Sequence, residues 1–482
     1  MHKRNYLTTL LLSLLFIILF RIITPFEGLS SSGMALIGIF VGILILWMKV
    51  SIDWPSLLLL ILLGSLDELS FSSVLASSFG NGTITFLIFT FVLTYALSRT
   101  PYLKKTAKAF ISSSIATKGP WAFVILYCAS ILFIGMFVSP TVLFFLYLPI
   151  LEEIYKVVDL KKGDKTAAML MMLTVIMTGI SSGMTPIAHA FPLITLQNYS
   201  KVTGNIISYA SYMAIGIPTG LLSAIVILLS FALIYHPDMT SLSSFDALKL
   251  NLKEKETNKS DKTILALFIM VIFLWVSPSL VTSITKEGFI YQTFKYLNSL
   301  GNTFPPLLAT TMLCMIRIDD KPLLTLQEAF TKGVSWPSII MCIGTSALGS
   351  ALVNESIGLN AYLSARLAPI TTSLSPMMIV LFFILWAALQ TNLSSNMVTA
   401  TLVSTAALSI SFDNINLASL IVLIGMMSSY SFATPPAMPC VAIAGSSGYT
   451  NPKQMAIWGF IAMFISWLIF SFIAYPLGIL IL

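Results

Sequence analysis

The sequence predicts an all-α polytopic membrane protein, with about 11 transmembrane helices and two re-entrant hairpins in an inverted repeat that contains two broken helices. Three observations predict it. Of 482 residues, 57% are hydrophobic and only 9% charged, with a mean hydropathy of +0.93, far outside the range of soluble domains. Apolar runs of roughly 17 to 25 residues, long enough to cross a bilayer as helices, recur along the whole chain. In each half, a pair of such runs is interrupted by proline, glycine and hydroxyl residues, the sequence pattern that points to a transporter's central site.

Composition also excludes several function classes. Cys128, Cys314, Cys342 and Cys440 are scattered singly in apolar segments, without metal-ligand spacing or a disulfide framework, and read as packing residues. No HExxH motif and no pair of intramembrane aspartates is present, so an intramembrane enzyme is not expected. The net charge of +7 reads as cationic cytoplasmic loops, and nucleic acid is not implied as a partner. The start, MHKRNYLTTLLLSLLFIILF, has a basic flank like a signal peptide, but its apolar run is too long and lacks a small-residue cleavage site. It reads as the first span.

In chain order, the first three spans fall near 6–24, 33–49 and 54–66, and a fourth runs through GNGTITFLIFTFVLTYALSRT to Arg99. The amphipathic segment that follows, with Lys104, Lys105 and Lys108, suits a cytoplasmic interface. The apolar run from Trp121 to Ile154 is cut at Ser139, Pro140 and Thr141 and has lysines at both ends, which predicts a re-entrant hairpin. From Thr166 to about Asn198 the segment TGISSGMTPIAHAFP is too rich in Gly, Pro and hydroxyls for one continuous helix. After a span at 209–235, residues 236–262 carry five lysines and five acids and read as a cytoplasmic linker. Spans near 263–284, 300–316 and 336–353 lead to a second hairpin at 371–411, a second broken span at 416–450 and a final span at 454–477.

This topology places 21 of the 26 Lys and Arg on the cytoplasmic side, leaving Arg21, Lys201, Lys286, Lys295 and Arg366 outside. It obeys the positive-inside rule. The amino terminus is then cytoplasmic and the carboxyl terminus external in a multi-pass cell-membrane protein. The second hairpin, TNLSSNMVTATLVSTAA from Thr391 to Ala407, sets hydroxyls and amides inside an apolar region, and FATPPAMP from Phe432 to Pro439 interrupts the next helix. Helices that start at hairpin tips aim free amides and the positive dipole end at a bound anion, and carbonyls of interrupted helices face cations. Ser395 and Asn396 occupy that position. The bland alternative is that Ser394, Ser395 and Asn396 cap a helix or join helices by hydrogen bonds.

At the first tip, Ser139 and Thr141 keep their hydroxyls while Pro140 offers neither amide nor side-chain ligand. Thr434 and Pro435 could contact substrate or merely kink a helix. His189 is the one histidine expected at membrane depth, and it could carry a proton, act as a fixed cation, or sit neutral against a neighbouring helix.

These features together resemble the divalent anion/sodium symporter family, whose two hairpin tips each carry a Ser-Asn-Thr triplet. ALSRTPYLKKTA is similar to that family's segment after the fourth span, VSWPSIIMCIGTSALGSALVNESIGLNAYLSARL to its region around the ninth, and ATPP with the later GSSGY to its second broken helix. The resemblance implies a homodimer in which a transport part (118–235 and 371–482) moves as an elevator against a scaffold part (1–117 and 263–370), joined by the linker 236–262. It implies a small organic anion as substrate, most simply a C4-dicarboxylate or related carboxylate, with sodium as a possible coupling ion and no other cofactor. Substrate would be bound by Ser139, Pro140, Thr141, His189, Ser395, Asn396, Met397, Thr434 and Pro435. One sodium would be held by Thr391, Ser394, Asn396 and Ala433, and another by Gly135, Ser139 and Ala188. The chain departs from the family pattern at Pro140 (for Asn), at Met397 (for Thr) and at Ala188-His189-Ala190 (for Gly-Thr-Pro or Gly-Ser-Pro). A proton-coupled or cation-independent exchanger, or a carrier of citrate or sulfate, remains the alternative.

Overall fold

Helices follow the apolar runs because a backbone in hydrocarbon must satisfy its own hydrogen bonds. The computed structural model describes residues 3–187, 189–243, 256–352, 354–359, 361–363, 365–366, 374–410, 412, 414–435 and 437–482. The expected site residue Ala188 and much of the linker therefore lie outside the described residues.

The first group of helices is α1 (Lys3–Ile22), α2 (Ser31–Lys49), α3 (Trp54–Leu63), α4 (Phe71–Phe79), α5 (Gly82–Ser98) and α6 (Tyr102–Ile111). Close approach of α1 and α2 depends on Gly38 and Gly42. A Cβ at Gly38 would lie 2.3 Å from Phe20 Cβ, and Ser13 Oγ donates to the Gly42 carbonyl at 2.8 Å. This is the small-xxx-small packing that membrane helices use. The hairpin α7 (Pro120–Gly135) and α8 (Pro140–Val157) comes next, then α9 (Lys165–Met184), a break, α10 (Ala190–Thr203) and α11 (Tyr209–Ser230). Every residue of α9 from Thr166 on is buried, and α7, α8 and α11 pack around it. A helix apolar on all sides belongs at the centre of such a bundle.

The second half opens with α12 (Thr240–Ser243), α13 (Lys259–Ile284), α14 (Gly288–Ser299), α15 (Phe304–Met315), α16 (Leu326–Glu328) and α17 (Trp336–Leu352). The hairpin then recurs as α18 (Pro376–Leu393) and α19 (Asn396–Leu408), and the broken helix as α20 (Leu417–Met427) and α21 (Pro439–Ser446). The chain closes with α22 (Pro452–Ile469) and α23 (Tyr475–Ile481). Both hairpins and both breaks thus fall where the polar interruptions lie.

Four details depart from the sequence reading. Among the described residues, six continuous helices, or eight spans if the bent pairs α4–α5 (41°) and 326–333 with α17 (80°) each count once, are long and apolar enough to cross. Several of the expected eleven spans are instead short apolar helices, among them α3 and α15. Helix α4, FSSVLASSF, was hidden by its serines and starts at a Ser70 cap whose hydroxyl accepts from Ser73 N. Helix α14 is amphipathic, has no buried residue, and lies where the sequence suggested only a loop before residue 300. A two-residue hairpin pairs Arg317–Ile318 with Lys321–Pro322, its turn formed by Asp319 and Asp320 at positive φ.

Candidate functional site

Four of the helices that begin without a side-chain cap have starts that converge. Their N-cap residues are Ser139 for α8, His189 for α10, Ser395 for α19 and Met438 for α21, and none accepts a capping hydrogen bond through its side chain. Residues 139–142, 189–191, 395–397 and 437–439 all line one cavity of about 450 Å³. Amides in the first turn of a helix have no intrahelical acceptor, and the helix dipole adds positive potential there. The cavity is therefore built to receive an anion without a buried cation from either tip.

A further wall comes from α5 (Phe91, Thr94, Tyr95, Ser98), from Lys332, Gly333 and Ser335 just before α17, and from Ser338 in its first turn. At its edge Glu328 accepts from Arg99 at 3.1 Å and from Tyr95 OH at 3.2 Å, and Lys332 Nζ lies 3.6 Å away. These are part-exposed pairs of small individual energy. Two cations around one acid nonetheless leave that wall net positive.

The second tip is fastened to the second break by a dense set of bonds. Asn392 donates to the carbonyls of Ala388 and Tyr430, each at 2.9 Å, and accepts from the amides of Phe432 and Ala433, each at 2.9 Å. Thr434 Oγ1 donates to the Asn392 carbonyl. Thr391 Oγ1 lies 2.6 Å from the Ser428 carbonyl and 3.1 Å from Asn396 Oδ1, while Asn396 Nδ2 donates to Ser431 Oγ at 2.7 Å. Amid these pairs Ser394 Oγ is buried and, among the described residues, has no hydrogen-bond partner. An orphaned buried oxygen is costly unless something unseen satisfies it. Thr391 Oγ1 and Asn396 Oδ1, on the same tip, are hard oxygens of the kind an alkali cation takes.

The first tip is tied differently. Thr185 Oγ1 donates to the Met136 carbonyl at 2.5 Å, and His189 Nε2 lies 3.4 Å from the Gly135 carbonyl, a contact that requires the proton on Nε2. His189 is buried, and this contact joins the start of α10 to the first hairpin. A Cβ at Gly135 would fall 2.0 Å from Ser181 Oγ, so the hairpin meets α9 without room for a side chain.

Of the expected substrate residues, Ser139, Pro140, Thr141, His189, Ser395, Asn396 and Met397 line the cavity, whereas Thr434 and Pro435 stand outside its lining. Thr434 spends its hydroxyl on the Asn392 backbone. Sequence reasoning missed Asn392, although it sits inside the polar cluster TNLSSN. It also missed the start of α21, for which Pro439 at the first helical position was an available signal, while at α10 it named His189 as a site residue but not Ala190 or Phe191. Thr94, Ser98, Lys332 and Ser338 carried no local signal.

A protein-family model for citrate transporters matches residues 42–428. The sodium-dependent dicarboxylate transporter SdcS of Staphylococcus saprophyticus is 26% identical, the match covering 96% of this chain and 89% of that protein. SdcS of Staphylococcus aureus is 25% identical over the same shares. The crystal structure of the Alcanivorax borkumensis YdaH transporter, described as having an unusual topology, superposes with a TM-score of 0.57 at 9% identity, covering 84% of this chain and 87% of that one. That likeness concerns the fold alone. Fold and site therefore define a multi-pass membrane transporter and not an enzyme. The chain belongs to the citrate transporter family, within the divalent anion/sodium symporters that its hairpin tips resemble.

Proposed function

We propose that this protein is a secondary active transporter of C4-dicarboxylates or related small organic anions across the cell membrane, coupled to sodium. The observation that carries this reading is the meeting of four uncapped helix starts in one cavity of about 450 Å³. Free amides and dipoles satisfy carboxylates at fixed positions without a permanent counter-charge, which suits a site that must also release its cargo. Relatives named sodium-dependent dicarboxylate transporters support both the substrate class and the ion. The cation would sit among Thr391, Ser394, Asn396 and the Ala433 backbone, next to the cavity but not in it. The substrate would be held by Ser139, Thr141, Ser395, Asn396 and the amides around them.

Transport would proceed as an elevator in a homodimer, with 118–235 and 371–482 moving against 1–117 and 263–370. The amino terminus would be cytoplasmic and the carboxyl terminus external. Uptake into proteoliposomes from a panel of dicarboxylates, citrate, sulfate and monocarboxylates, with and without a sodium gradient, tests the proposal. Sodium-stimulated succinate uptake is expected, and uptake indifferent to sodium would reject the coupling.

A second reading, a proton-coupled or cation-independent exchanger, is favoured by one feature. The Gly135 carbonyl, which a first sodium would need, already faces His189, and Pro140 supplies no ligand there. Proton coupling predicts that substrate affinity rises as pH falls, by reciprocity, until the substrate itself protonates. His189→Thr should flatten that dependence, whereas identical pH curves in wild type and variant would leave the histidine a packing role.

A further inference from the structure

A second cavity, of about 250 Å³, lies at the far ends of the two helices that border the first. The C-terminal part of α5 (Phe91 to Ser98) and the start of α10 (Ala190, Phe191) line the first cavity. The beginning of α5 (Gly82, Thr83, Phe86) and the later turns of α10 (Leu193 to Lys201) line the second. At about 1.5 Å per residue, the mid-points of these lining stretches lie roughly 10–15 Å apart along the helices.

The second cavity holds an unexplained polar group. Gln197 is only 6% exposed, lines the cavity and, among the described residues, has no hydrogen-bond partner for either its amide nitrogen or its amide oxygen. Both atoms of a buried amide left unpaired cost more than membrane packing alone would justify. One helical turn on, the Lys201 ammonium reaches the Ser346 hydroxyl at 2.5 Å and the Ser350 hydroxyl at 3.0 Å, and it also contacts the Ser346 carbonyl. Among the described residues Lys201 forms no ion pair, and no acid lines the cavity. Lys201 was expected among solvated external charges, but its side chain is instead inserted between α10, α17 and α4, where Ser77 supplies a further carbonyl at 3.5 Å. The hydroxyl residues Thr83, Ser200 and Thr303 complete the polar wall.

We propose that this second cavity binds a small carboxylate anion, with the Gln197 amide as hydrogen-bond donor and Lys201 as the compensating positive charge. The partners of Lys201 here are hydroxyl and carbonyl oxygens, and a carboxylate in the adjoining space lowers the cost of burying an ammonium. The carboxylate class, as opposed to any small anion, rests on the proposed substrate of the first cavity. The ligand could be that cargo meeting the opposite end of its path, or a separately supplied carboxylate. In either case the binding chemistry is the same.

The test uses the full chain with its four native cysteines replaced and a single cysteine at Thr303→Cys, purified in detergent, in an Asn396→Ala background that disables the first cavity. The rate of thiol alkylation is read against added succinate, acetate or chloride. Succinate at ten times its dissociation constant should slow labelling by about tenfold, and Gln197→Leu should abolish that protection while the protein stays monodisperse. Acetate protecting as well as succinate would point to a general carboxylate, and succinate alone to the cargo; both outcomes support the site. Protection that needs an intact Asn396 would reflect a signal from the first cavity and overturn the proposal, as would equal protection by chloride or none by any anion. Uptake by the Asn396→Ala protein is measured in parallel, so a failure of the transport assignment is distinguishable from a failure at Gln197.

Discussion

Two neighbours at the second hairpin tip are predicted to behave in opposite ways. Asn392 ties the tip to the break through three hydrogen bonds, two of them from the amides of Phe432 and Ala433 in the interrupted stretch. Asn392→Leu should leave those groups buried and unsatisfied at about 1–3 kcal/mol each, so the yield of folded protein, followed by size-exclusion chromatography, should collapse. Ser394 has no partner to lose. Ser394→Ala is expected to leave folding intact and to raise the sodium concentration needed for half-maximal uptake by about tenfold or more, since a site of few oxygens depends on each. A variant with unchanged sodium dependence would remove Ser394 from the cation site. Asn396→Ala should insert normally and lose transport, because its side chain bridges the cavity and the cation set; wild-type uptake in that variant would sink the assignment.

At the scale of elements, the breaks are as closely packed as the helices they interrupt. Gly459 of α22 faces the second break so tightly that a Cβ there would lie 2.3 Å from Ala433 Cα and 2.7 Å from the Phe432 carbonyl. Backbone cannot swing aside as a side-chain end can. Gly459→Ala should therefore displace the break, costing about 1–3 kcal/mol by overpacking, and depress sodium-coupled uptake together with thermal stability. Gly445→Ala in α21 is the control, because its nearest neighbour would be an ordinary contact at 3.5 Å. Equal tolerance of both changes would show that the break adjusts freely. Hairpins and breaks were legible in the sequence because Pro, Gly and hydroxyl clusters are rare within apolar runs. Helix α4 was not, because its serines bond their own backbone and blur the hydrophobic period, as Ser78 does toward the Val74 carbonyl.

For the whole molecule, α13 gives a direct test of topology. Its 26 residues span about 39 Å at 1.5 Å per residue, more than the hydrocarbon core, so its ends should emerge on opposite faces. Single cysteines at Lys262 and Lys286, both exposed, should label from the cytoplasmic and external sides respectively. Labelling from one side would dismantle the inverted repeat.

The sequence by itself determined that the chain lives in a membrane, that it is helical, and that two hairpins and two broken helices interrupt it in matching order. Hydropathy and helix-breaking residues act locally, within one or two turns, and so can be read without a partner segment. Only the tertiary structure decided that the start of α10 and the start of α21 join the two tips around one cavity. It also decided that Asn392 and Thr434 serve as clamps, and that half-buried Lys201 reaches Ser346 and Ser350. Those relations join residues far apart in the chain, Lys201 and Ser350 by 149 positions and Asn392 and Ala433 by 41. The contacts that satisfy a buried polar group are set by whichever helix packs beside it, and no local pattern records which helix that will be.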